Sequence, residues 1–150
     1  MRSNSRVQGS VYFSSTSMLR NPLGFADSLR TNYYRYPALQ PAMLWLDSVP
    51  PNVPRNLTIR PSVNGIYLNW MQPLPAADKE PVYGYVIYRF NEDEKIDINN
   101  AKNILHIQYG PNLFYEDRTA KKDTYYLYVI TAIDRLKNES DRSPTLAASY

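Results

Sequence analysis

An all-β, immunoglobulin-like sandwich of seven strands is the fold class this sequence predicts for its last hundred residues, with a short βα appendage in front. Three observations predict it. Residues 124–134, Thr-Tyr-Tyr-Leu-Tyr-Val-Ile-Thr-Ala-Ile-Asp, put Tyr126, Tyr128, Ile130 and Ala132 on alternate positions, so an extended backbone turns all four to one face. Pro50, Pro51 and Pro54 make a semi-rigid connector that divides a helix-bearing first third from the rest. Beyond it, short runs rich in β-branched and aromatic residues recur at turn spacings of about 8 to 12 residues, the sandwich pattern.

In chain order, residues 9–14 (Gly-Ser-Val-Tyr-Phe-Ser) form a short apolar run with strand propensity, and residues 15–18 a polar connection. Asn21-Pro22-Leu23-Gly24 marks a turn or helix start, and Phe25, Leu29 and Tyr33 follow at i, i+4 and i+8, one helical face. Tyr36-Pro37 and Gln40-Pro41 end it, because a residue before proline is pushed out of the α region. Residues 42–46, Ala-Met-Leu-Trp-Leu, then form a hydrophobic segment. One βα unit cannot bury its own apolar surface. Residues 10–46 are therefore expected to fold back on the sandwich, to self-associate with another molecule, or to stay mobile.

After the prolines, Leu57 and Ile59 alternate, Asn64-Gly65 turns the chain, and Ile66, Leu68 and Trp70 alternate again. Residues 71–81 read as a loop and residues 83–90 as a third strand, apolar on both faces. Residues 91–103 are charged and polar, with Ile96 and Ile98 as a short edge strand. Residues 104–109 and 113–117 are further strands separated by Gly110-Pro111-Asn112. Residues 124–134 suit the interior of a sheet and run into a hairpin turn at which Asn138 takes the left-handed conformation. Residues 144–150 close the chain. The domains read as an appendage at 1–48, a linker at 49–54 and the sandwich at 55–150.

Composition excludes several functions. With no cysteine there is neither a disulfide framework nor a thiolate metal site. No apolar run is long enough to span a bilayer, and the first residues lack the apolar core of a signal peptide, so the chain as written reads as soluble and unexported. The net charge of +3 comes entirely from the first fifty residues, where five arginines face two aspartates, without a dense cluster. No nucleic-acid partner is expected. His106, the single histidine, has no second histidine for a metal site and no cysteine or evident serine partner for a triad. Glu92, Asp93, Glu94 and Asp97 lack the ligand spacing of a calcium loop and read as a solvated tip. Glu116, Asp117 and Asp134 read as turn and strand-end carboxylates, and the Asn56 and Asn138 triplets as chance matches to the glycosylation sequon. No cofactor and no metal is expected. Fourteen tyrosines are the one excess that fits binding, since exposed tyrosines stack on sugar rings and enrich interfaces. Tyr67, Tyr83, Tyr88 and Tyr109 are the candidates, against a core assignment for most of the others.

The order Pro51-x-x-Pro54-x-x-Leu57, Leu68-x-Trp70, Gly84-Tyr-x-Ile87-x-Arg89, then Tyr126-x-Tyr-x-Ile130-x-Ala132-x-Asp134 and Asn138-Glu-Ser140 resembles a fibronectin type III domain. The resemblance implies that Trp70 is a core residue of the second strand, that Tyr126 makes the corner hydrogen bond, and that Ile130 and Ala132 face Trp70. Residues 91–103 are long for that family, and its Arg-Gly-Asp adhesion motif is absent.

The first block resembles a different family. Gly9-Ser-Val-Tyr-Phe-Ser, Asn21-Pro-Leu-Gly-Phe-x-Asp-Ser-Leu-Arg and Tyr36-Pro-Ala-Leu-x-Pro-x-Met-x-Trp45-Leu-Asp look like the barrel end of family-ten-like glycoside hydrolases frequent in Bacteroides-type bacteria. Residues 10–14 and 22–34 would then be the eighth strand and helix of a (β/α)8 barrel, and the chain a C-terminal fragment of an enzyme of carbohydrate metabolism. The resemblance implies a periplasmic or cell-surface parent, with the missing barrel as first partner and polysaccharide as a second. Glycoside hydrolysis usually needs two facing carboxyl groups, which a barrel takes from the ends of several strands. The one strand end present, Phe13-Ser14-Ser15, has none, so the fragment itself is not expected to be an enzyme. Three classes follow: a non-catalytic accessory module, a free-standing interaction domain binding through an edge strand or loops, and, disfavoured, an independent enzyme.

Overall fold

The computed structural model describes Val11 and residues 14–150. The chain divides into two compact units, Met1–Arg35 and Tyr36–Tyr150.

In the first unit, residues 15–18, read above as a connection, instead begin α1 (Ser15–Arg20). Asn21 closes it in the left-handed conformation, its N–H bonded to the Met18 carbonyl. The Asn21 side chain then organises the next turn, its Oδ1 accepting from the Ala26 N–H at 2.8 Å and its Nδ2 donating to Asp27 at 2.6 Å. A 3-10 turn over Pro22–Gly24 leads into α2 (Phe25–Ser28), which widens into a π turn over Leu29–Tyr33. Of the face drawn through Phe25, Leu29 and Tyr33, only Leu29 is buried. A π turn bonds i to i+5, so the angular spacing that would stack Tyr33 over Leu29 is lost. The strand read over residues 9–14 lies largely outside the described residues.

The second unit is a sandwich of two antiparallel sheets. Its strands are β1 (Arg55–Ser62), β2 (Gly65–Met71), β3 (Gly84–Asn91), β4 (Ile104–Tyr109), β5 (Phe114–Asp117), β6 (Tyr125–Ile133) and β7 (Leu146–Ser149). One sheet has the order β1-β2-β5 and the other β4-β3-β6-β7, which makes β6 an interior strand. The alternation of β6 works as the pattern predicts: Tyr126, Tyr128, Ile130 and Ala132 point between the sheets, in one cluster with Leu57, Ile66, Leu68, Trp70, Tyr85 and Ile87. Trp70 meets Tyr85 edge-on at 5.3 Å.

The other face of the four-stranded sheet is also dry. Val86, Tyr88, Phe90, Ile104, Val129 and Ile133 form a second cluster there, covered by Leu39 and by Ile96, Ile98 and Ala101. This explains why β3 is apolar on both faces. Residues 96 and 98 are thus not an edge strand; they sit in turns and irregular backbone and use their side chains as a lid. Asn138 does not take the left-handed conformation at the turn after β6. Lys137 does, at φ 71°, while Asn138 is buried and donates from its amide to Asp134 at 2.8 Å and to the Asp47 carbonyl at 3.2 Å.

Residues 36–48 belong to the same compact unit as the sandwich. The Met43 N–H bonds the Leu136 carbonyl at 3.1 Å, and a turn at 44–46 leaves Trp45 79% exposed. Among the described residues no helix is long and apolar enough to cross a membrane.

Candidate functional site

The four candidate tyrosines separate into three environments. Tyr88 is fully buried under the outer lid, and its hydroxyl donates to Glu139 at 2.6 Å, so it is no part of a surface. Burial first, and then the Glu139 carboxylate, push its hydroxyl far above the usual tyrosine range. Tyr67 is half-buried on β2, stacked on Phe114 at 5.9 Å and capped by the Arg60 guanidinium at 4.7 Å. Tyr83 and Tyr109 come together, with ring centroids 5.3 Å apart and exposures of 45% and 51%.

That meeting follows from strand register. Gly84 at the start of β3 pairs with Tyr109 at the end of β4. A Cβ on Gly84 would lie 2.5 Å from the Gln108 carbonyl oxygen and 3.1 Å from Tyr109 Cδ1, so glycine is what lets the Tyr109 ring cross β3. Tyr83 is pinned at both backbone groups, its N–H to the Ile133 carbonyl at 2.8 Å and its carbonyl to the Gly110 N–H at 3.0 Å. The Lys137 ammonium lies 4.0 Å from the Tyr83 centroid and 4.9 Å from that of Tyr109, a cation–π clamp holding the two rings in one orientation.

Beside the pair runs a groove of about 330 Å³, at the lower end of the roughly 300 to 1,000 Å³ usual for small-ligand sites. Tyr83, Tyr85, Tyr109, Pro111 and Leu113 line it with Gln72, and none of these side chains is charged. Tyr85 and Gln72, both contributors to the groove, carry no sequence signal of their own: Tyr85 reads as a core strand residue and Gln72 as loop.

The carboxylates are occupied with structure. Asp117, fully buried, accepts from Arg89 at 2.7 Å, Tyr128 at 2.8 Å and the Thr119 hydroxyl at 2.7 Å. Burial by itself would raise its pKa, but these hydrogen bonds and the Arg89 charge outweigh it and hold the carboxyl below the usual range. Glu116 bonds Ser62 and Arg118, and Glu94 pairs with Lys102. Asp47, Glu80 and Asp134, far apart in sequence, converge with carboxylate oxygens within 4.8 Å of one another. Asn138 donates into Asp134 and Asp47, and Arg135 pairs with Glu80 at 3.3 Å, so each of the three carboxylates already has a donor, with one cation among them. His106 is exposed on β4 and stacks on Tyr115 at 4.8 Å. Of the two sequon asparagines, Asn138 is buried and Asn56 exposed.

The core residues Trp70, Tyr126, Ile130 and Ala132 all lie between the sheets. The Tyr126 hydroxyl accepts from the Lys121 N–H at 3.4 Å, a long contact to the backbone five residues upstream. The Trp70 indole N–H is buried and makes no well-formed hydrogen bond among the described residues, with the Tyr85 hydroxyl within reach of it.

No protein-family model matches the chain. Glycosyl hydrolase YngK of Bacillus subtilis (strain 168) is 36% identical over 138 residues, 91% of this chain and 26% of that protein. The chain therefore spans about a quarter of that relative's length. Among solved structures, the third fibronectin III domain of human KIAA0343 protein superposes with a TM-score of 0.54 at 17% identity, over 69% of this chain and 84% of that one. An Fn3-like protein from Clostridium thermocellum gives 0.51 at 19% identity, over 67% and 93%. A β-1,2-glucanase from Parabacteroides distasonis gives 0.52 at 24% identity, over 69% of this chain and 14% of that one. These likenesses show the fold, which is a fibronectin type III-like sandwich.

Proposed function

We propose that this chain is a non-catalytic accessory module of a glycoside hydrolase. In this proposal residues 1–48 are the last strand and helix of a family-ten-like (β/α)8 barrel, residues 49–54 the connector, and residues 55–150 the sandwich that follows the barrel. The observation that carries it is the 36% identity to a glycosyl hydrolase over nearly the whole chain, with only 26% of that protein spanned. Catalysis then belongs to the part of the parent protein outside this similarity. The carboxylates support the same assignment, because Asp117 and the Asp47, Glu80 and Asp134 group are engaged by hydrogen-bond donors of their own compact unit. An acid/base pair for glycosidic cleavage needs one carboxyl with a raised pKa across a sugar-sized cleft, whereas Asp117 is depressed.

Two measurements test it. The genomic locus should continue upstream of Met1 as one reading frame encoding about 200 or more barrel residues. The 150-residue chain should hydrolyse none of a panel of aryl glycosides and polysaccharides on which the longer polypeptide acts. A stop codon in frame just upstream, or hydrolysis by the chain alone, would overturn the proposal. The first of these results would favour a free-standing interaction module.

A further inference from the structure

We propose that the groove beside Tyr83 and Tyr109 is a carbohydrate subsite that takes one neutral pyranose ring of a glycan. It rests on the assignment above of the chain to a glycan-acting enzyme, and deepens it by naming a site. A pyranose presents a C–H face and a rim of hydroxyls, so its receptor needs an exposed aromatic wall and a few hydrogen-bonding groups that the protein has left unused.

The groove supplies both. Tyr109 and Tyr83 are held as a rigid pair by the Gly84 register, the two Tyr83 backbone bonds and the Lys137 clamp, so little ordering entropy remains to be lost on stacking. Lys137 holds the rings from outside the groove lining, which leaves the lined side for a ligand. Within the groove, the Tyr85 ring is buried to 98%, and its hydroxyl lies within reach of the Trp70 indole N–H as acceptor, which leaves the phenol proton to be donated. Its neighbour across the 5.3 Å ring contact is Trp70. The Gln72 side-chain amide, a donor and an acceptor, is exposed in the same lining. A sugar hydroxyl could accept from Tyr85 and a second could bond Gln72.

The lining also selects against other ligands. None of the lining side chains is charged, so the lining itself makes no ion pair with a phosphate or a carboxylate, and Lys137 is engaged with the two rings. Its volume of about 330 Å³ has room for one ring.

The test uses the 150-residue chain in affinity electrophoresis against neutral soluble polysaccharides (β-glucan, xylan, mannan, glycol chitin), followed by calorimetry with oligosaccharides of whichever glycan retards it. At least one should retard it. Tyr109→Ala, at an exposed position, and Tyr85→Phe, which removes one hydroxyl and keeps the core volume, should each weaken binding about tenfold or more. Circular dichroism should show both variants folded. Retardation by no glycan, or binding unchanged in both variants, would overturn the site. Those outcomes are separable from failure of the accessory-module assignment, which the upstream reading frame decides independently of any glycan binding.

Discussion

The Arg89 guanidinium on β3 donates to the Asp117 carboxylate on β5 at 2.7 Å, and so ties the four-stranded sheet to the three-stranded one through a fully buried acid. The pair is not isolated. Tyr128 on β6 and Thr119 complete the Asp117 shell, and the Arg89 guanidinium also lies 4.7 Å over the Tyr126 ring. Removing one partner leaves a buried charge without compensation. Arg89→Met should therefore cost about 3 kcal/mol or more in urea unfolding; a loss below about 1 kcal/mol would show that water already solvates Asp117.

The same pair sets a pH dependence. The Asp117 carboxyl is depressed in the folded state, so its contribution to stability is complete above the unfolded value of about 4 and is lost as pH falls through the folded value. Thermal unfolding from pH 7 to pH 2 should show a drop in midpoint that steepens below about pH 4. Asp117→Asn should flatten that part of the curve while lowering stability at pH 7.

Trp70→Ala should cost about 3 to 5 kcal/mol, because it empties the middle of the inter-sheet core. Equilibrium denaturation measures it directly. An unchanged denaturant midpoint would be incompatible with the packing of Trp70 against Tyr85.

Gly84→Ala should destabilise by about 1 to 3 kcal/mol, since the contact at 2.5 Å is to backbone and cannot be relieved by rotating a side chain. Its signature is local. Nuclear magnetic resonance shifts should change most at Gln108, Tyr109 and Tyr83.

Asn138→Ala should cost about 1 to 3 kcal/mol through the loss of buried hydrogen bonds to Asp134 and Asp47. Faster amide exchange at Met43, whose N–H bonds Leu136 in the same turn, is the accompanying readout.

Local pattern made some of this molecule legible and hid the rest for identifiable reasons. β6 could be read because each of Tyr126, Tyr128, Ile130 and Ala132 reports its own facing by position alone. Ile96 and Ile98 also alternate, but they pack on the cluster formed by β3, β4 and β6, and alternation cannot distinguish a strand from two side chains dipping onto a sheet. Tyr88 looked like a surface candidate because the cover over it comes from residues 39 and 96–101, distant in sequence. Tyr83 and Tyr109 could be named, but not paired: their proximity depends on the β3/β4 register, which shifts between Ile87 and Tyr88. Tyr85 and Gln72 have no distinguishing pattern, since a place in a groove lining is a property of surroundings. The Phe25, Leu29 and Tyr33 face was misjudged because a π turn has no signature in residue spacing.

The lid over the outer face of the four-stranded sheet carries a consequence for anyone who would use this fold as a display scaffold. Connecting loops of sandwiches are normally the places to randomise, since they tolerate change. Here residues 96–101 shield Tyr88, Phe90 and Val129 from water, so a library at that loop would uncover an apolar sheet and select for sticky, aggregating clones. Diversity belongs instead in residues 74–80, whose side chains are mostly exposed.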